Sequence, residues 1–126
     1  MKKEHGEHNK ILCDKLYSEK THNDWVITTA FYSAIHFIDH KIFPFDFKGN
    51  KINNIGDAHK NNSLRKESRH ETRRFLVSLQ LPSQVANYKY LKDNCMHARY
   101  IDYRVEDAMA DRAKECLESL MAECLS

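Results

Sequence analysis

The chain has 126 residues, 41% hydrophobic and 30% charged, and its 20 Lys and Arg against 18 Asp and Glu leave a formal charge of +2. That length suits a single domain over residues 1–126, and the near balance of charge excludes the strong global field that marks an obligate nucleic-acid binder. Four cysteines without a Cys-x-x-Cys pair read as core thiols of a reducing compartment. The opening MKKEHGEHNK lacks the apolar run of a signal peptide and no stretch has a membrane span's length, so a cytoplasmic protein with no membrane partner is expected.

Three glycines and two prolines separate long amphipathic runs, which predicts an all-α fold. The first predicted helix covers about residues 4–20, with Ile11, Leu12, Leu16 and Tyr17 as its inner stripe. A second, NDWVITTAFYSAIHFIDHKI, is apolar on nearly every side and must be enclosed by the others. It should end at Phe43-Pro44, and PFDFKGNKINNIGD reads as one long loop over 44–57. A third helix is predicted over about 58–79, with Leu64, Phe75, Leu76 and Leu79 inward and its cations outward. The fourth, about 83–98, carries Val85, Tyr88, Leu91 and Cys95 inward, and the fifth, about 105–125, carries Val105, Met109, Cys116, Leu117, Leu120, Met121 and Cys124.

Three groups of residues could carry chemistry. In LRKESRHETRRF, five cations surround His70, and Arg69 and Arg73 share a face at one-turn spacing. Such a face can chelate phosphates, with Arg69, Arg73 and Arg74 as contacts and His70 moving protons beside Arg73 or Arg65; it can equally be a solvated face paired with Glu67 and Glu71. On an unbroken helix Arg65 and His70 point about 140° apart, so Arg73 is the better partner. On the second helix His36 and His40, with Asp39 between them, could hold a divalent metal if a third ligand came from another helix. No motif demands a metal or cofactor, and none is expected. In YKYLKDNCMHARYIDY, Arg99 and Tyr103 could grip and stack a nucleic acid, or the tyrosines could simply form a helix junction.

Taken in order, three segments resemble the HEPN superfamily (higher eukaryotes and prokaryotes nucleotide-binding domain). DWVITTAFYSAIHFIDHKIF is similar to its aromatic and small-residue second helix, HETRRFLVSL to its His-then-Arg helix, and YKYLKDNCMHARY to its Tyr-x-x-Leu lead-in to Ala-Arg-Tyr. The resemblance runs from about residue 8 to 125 and implies an up-and-down bundle of four to five helices that pairs as a homodimer. It also implies work in RNA metabolism, toxin–antitoxin pairs or defence, with RNA, an antitoxin or a nucleotidyltransferase as partner. Catalytic members carry an Arg followed, after four to six residues, by a His; here that pattern occurs as Arg65 with His70, while positions 104–106 after Arg99 are Arg, Val and Glu. The resemblance therefore implies an RNA- or protein-binding domain with a degenerate catalytic motif. A metal-independent endoribonuclease and a metal-binding bundle using His36 and His40 are the alternatives.

Overall fold

A computed structural model describes residues 2–126 as six α-helices, one 3₁₀ turn and one β-hairpin. The centre is α2 (Asn23–Ile42), whose Val26, Ile27, Ala30, Phe31, Ala34, Phe37 and Ile38 are wholly buried. An apolar circumference needs neighbours on every side, and α1 (Lys2–Glu19), α5 (Val85–Tyr100) and α6 (Asp107–Cys124) supply them.

The backbone of α1 comes close to α2 at Gly6. A Cβ there would lie 2.9 Å from the Phe37 ring, and the Gly6 carbonyl accepts a 2.7 Å hydrogen bond from the Ser33 hydroxyl. Gly6 and Cys13 are the buried residues of α1, whereas Ile11 and Leu12 are 72% and 44% exposed. Of the expected inner stripe, Leu16 and Tyr17 pack partly buried against the core, whereas Ile11 and Leu12 turn outward. Close backbone approach, which favours the small residues, sets the orientation in place of side-chain size.

The segment expected to be a loop over 44–57 contains structure of its own. Strands β1 (Phe45–Phe47) and β2 (Asn50–Ile52) pair antiparallel, with Phe45 opposite Ile52 and Phe47 opposite Asn50. Lys48 and Gly49 both take left-handed φ values, 49° and 82°, so the two-residue turn has the twist that suits a hairpin. Ile52 is buried and Phe45 and Phe47 are partly so, which seats the hairpin on the core.

The predicted helix over 58–79 is two helices. Asn54 caps α3 (Ile55–Lys60) by accepting from the Asp57 amide at 2.8 Å. The Asn61 side chain then accepts from the amides of Ser63 and Leu64 at 2.9 and 3.2 Å, diverting the backbone from helical bonding. Ser68 caps a new start, accepting from the Glu71 amide at 3.2 Å, and α4 (Arg69–Gln80) follows. The break is itself held: the Thr72 hydroxyl accepts from the Lys66 amide and meets His59 Nδ1, both at 2.9 Å. In α4, Leu76 and Val77 are buried, but Leu79 is 55% exposed and Arg73 faces inward, reversing their expected sides.

Beyond Pro82 a short 3₁₀ turn leads into α5, and α6 ends the bundle with Ala110, Ala113, Leu117 and Leu120 packed on α2 and α5. Asn23 joins the start of α2 to the approach to α6, donating to the Val105 carbonyl at 3.0 Å and to Asp107 at 2.8 Å. No helix among the described residues is long and apolar enough to cross a membrane.

Candidate nucleic-acid interface

The cationic run around α4 does not form one outward face. Arg73 is buried, and its Nε and Nη2 donate to the two carboxylate oxygens of Asp39 at 2.8 and 3.0 Å. Its guanidinium therefore presents nothing to a phosphate, which removes it from the expected pair with Arg69. Arg74 donates to Glu71 at 2.8 Å, and Lys92 of α5 donates to the other oxygen of the same carboxylate at 2.6 Å. These two bonds hold the Glu71 carboxyl below the usual range, Lys92 contributing most. Lys66 lies 4.2 Å from the Phe75 ring centre. Arg65 and Arg69 stay exposed, Arg65 in the non-helical stretch 61–68 and Arg69 at the first turn of α4.

His70 is half-buried, set edge-on to Phe31 at 5.2 Å between ring centres, and its Nδ1 is the buried side-chain polar atom without a hydrogen-bond partner among the described residues. Its carbonyl accepts from the Tyr88 hydroxyl at 2.9 Å, and burial pushes that phenol up to about 12. Burial also lowers the His70 pKa from 6.5, helped by the positive charges of Arg73 and Lys92 and opposed by Glu71. A proton donor at neutral pH needs the opposite shift.

His36 is lowered as well, first by burial, then by His5 and Arg73 against Asp39. Its ring stacks on that of His5 at 3.7 Å, beside a depression of about 510 Å³ that Lys2, Glu4, His8 and Asp39 also line. His40, one turn on, is exposed. Among the described residues no three His, Cys, Asp or Glu are gathered in a way that could hold a metal. The His36–His40 spacing is thus met by a stacked imidazole rather than by a third ligand.

These two histidines make stability depend on pH. The folded state binds protons less readily than the unfolded chain, so their contribution is complete above the unfolded pKa near 6.5 and is lost as pH falls through that value towards the depressed folded ones. The melting temperature is expected to drop between pH 7 and pH 5 and the drop to shrink in His70→Phe; an unchanged melting temperature over that interval would contradict the burial of both rings.

The other end of the molecule is built differently. At the C-terminus of α5, the Ile101 and Asp102 amides both donate to the His97 carbonyl, at 2.9 and 3.0 Å, and the chain leaves the helix into the segment 101–106. Asp102 holds this segment with bonds to the Arg104 amide and to its guanidinium, all at 3.0 to 3.1 Å. Arg104 is thus paired with its neighbour at the surface. Arg99 is exposed, donates to the Tyr32 hydroxyl, and lies 5.8 and 5.2 Å from the ring centres of Tyr32 and Tyr100. Among the described residues no carboxylate pairs with it.

Around Arg99 stand the large exposed side chains of this end: Trp25 at 50%, Tyr100 at 68%, Ile101 at 75% and Tyr103 at 70%. Three adjoining depressions form a groove across them. The middle one, about 200 Å³, is lined by Asp24, Trp25, Thr28, Ala98, Arg99 and Tyr103. It shares Asp24 and Tyr103 with a depression on the 20–24 and 103–105 side, and Ala98, Arg99 and Tyr103 with one over 98–104. Aromatic faces beside an unpaired guanidinium, along an open groove, suit a flexible polyanion with flat groups.

Of the expected nucleic-acid contacts, Arg99 and Tyr103 come together here, while Arg69, Arg73 and Arg74 lie on α4 and are divided among solvent, Asp39 and Glu71. Sequence reasoning missed Trp25 and Asp24. An all-round apolar helix makes Trp25 read as core; the signal against it is its place directly after the polar stretch SEKTHND over 18–24, where a helix start leaves a side chain uncovered.

No protein-family model, curated protein or solved structure significantly matches this chain.

Proposed function

We propose that this domain binds single-stranded RNA at the end of the bundle formed by the start of α2 and the 98–105 segment. The observation that carries this reading is Arg99, unpaired by any carboxylate among the described residues and set among the exposed rings of Trp25, Tyr100 and Tyr103. Bases stack on such rings regardless of sequence, and a guanidinium grips the phosphate between them. The HEPN resemblance, which implies RNA work, agrees with this surface and supports an Ala98-Arg99-Tyr100 junction as the contact rather than α4. The endoribonuclease alternative lacks comparable support, because Arg73 is spent on Asp39 and burial disfavours the protonated form of His70.

Trp25 is the single tryptophan, so its emission reports the groove directly. Adding a single-stranded RNA octamer is expected to quench it saturably. Each phosphate neutralised on a single strand contributes about −0.7 to the slope of log affinity against log salt. Arg99 and Lys20 are the groove cations that no carboxylate pairs among the described residues, giving a slope near −1.4 that Arg99→Ala halves. A saturable complex with a steep slope untouched by Arg99→Ala would place binding elsewhere, and no quenching with no affinity would end the reading.

A further inference from the structure

We infer that the middle of this groove is a base pocket that selects guanine, with Asp24 as the residue that reads it. The inference rests on the RNA-binding reading above and adds a specificity to it. The depression of about 200 Å³ is smaller than the roughly 300–1,000 Å³ of pockets that enclose a whole small molecule. Open depressions continue from it on both sides. A site of that form takes one flat part of a longer ligand whose remainder runs on in both directions, as a nucleotide within a strand does.

The walls set the chemistry. Trp25 and Tyr103 provide the flat apolar faces, Arg99 the positive charge, and Asp24 a carboxylate. The Asp24 backbone carbonyl accepts from the Thr28 hydroxyl at 2.8 Å, but among the described residues no hydrogen bond engages its side chain. A carboxylate in a phosphate-binding groove opposes the backbone of any nucleic acid, so its presence is accounted for if it meets a base edge that donates. It is acceptor-only, with two oxygens side by side. Guanine alone offers two adjacent donors on its Watson–Crick edge, N1–H and the N2 amino group. Cytosine and adenine offer one amino donor beside an acceptor, and uracil one N–H between two carbonyls that repel the carboxylate. Single-stranded RNA leaves that edge free. A site committed to such donors discriminates strongly against a base that lacks them, since the wrong base leaves its polar groups unpaired.

Two RNA octamers test this on the wild-type protein: eight uridines, and the same strand with one central guanosine. Trp25 quenching is expected to give at least about tenfold tighter binding of the guanosine strand, with substitution of cytidine or adenosine falling between. Asp24→Asn, which keeps the size and removes one acceptor and the charge, is expected to abolish the difference while the uridine strand still binds. Arg99→Ala should weaken both strands together and leave their ratio unchanged. Equal binding of both octamers by the wild type, or a guanosine preference that survives in a folded Asp24→Asn protein, would overturn the base pocket and leave RNA binding standing. Failure of every octamer to bind would instead remove the reading on which it rests.

Discussion

Asp39→Ala is expected to lower the free energy of unfolding by about 3–5 kcal/mol, the cost of leaving a buried guanidinium without its counter-ion. Arg73 is 5% exposed and is held by both carboxylate oxygens of Asp39, so removing that side chain strands a full charge between α2 and α4. Against a total stability of about 5–15 kcal/mol for a domain, this is a large fraction. The pair itself is not the source of that much net stability, because burying two charges costs desolvation that their attraction only offsets. The double variant Asp39→Leu, Arg73→Met is therefore expected to recover most of the loss. Urea unfolding of the wild type, both single variants and the double variant measures the coupling; additive losses in the double variant would contradict a buried pair. Asp39 stands fourteen residues along α2 from Trp25, about 21 Å at 1.5 Å per residue, so RNA affinity at the proposed groove is expected to be unchanged in a folded double variant.

The largest functional effect is expected from removing the two aromatic faces of the groove. A base stacked on an aromatic side chain contributes about 1–3 kcal/mol by alanine substitution. Trp25→Ala with Tyr103→Ala should then weaken single-stranded RNA binding by about 2–6 kcal/mol, from roughly thirtyfold to beyond 10⁴-fold. Tyr103 is 70% exposed, so its loss leaves the core intact, and Trp25, at 50%, gives up only part of its packing. Anisotropy of a labelled octamer follows the loss, since the intrinsic reporter is removed with Trp25. Affinity within a few-fold of wild type in the folded double variant would mean that the rings do not stack bases.

The sequence made the helices legible where burial follows periodicity, as in α5, whose Tyr88, Leu91 and Cys95 are wholly buried, and in α6, where Leu117 and Leu120 are too. It misled where local hydrogen bonding or backbone contact decides. The side chains of Asn61 and Ser68 split the expected third helix, Lys48 and Gly49 turn an expected loop into a hairpin, and Gly6 orients α1 against the pull of Ile11 and Leu12. The site shows the same division. The exposure of Arg99 and Tyr103 was legible because a helix end concentrates exposed side chains of mixed character. Arg73 was not, because nothing in a run of alternating charges tells which arginine meets a carboxylate on another helix. Asp39 was visible as a polar residue on a buried helix, and a buried carboxylate demands a partner, but only the packing of α4 on α2 selects Arg73.

The most direct test of the account is the backbone amide spectrum of the isotope-labelled protein titrated with a single-stranded RNA octamer. Shifts are expected only at the start of α2, about residues 20–32, and in the stretch 97–107, with residues 69–80 of α4 unmoved. Shifts concentrated on α4 around Arg69 and Arg74, or none anywhere at saturating RNA, would contradict it.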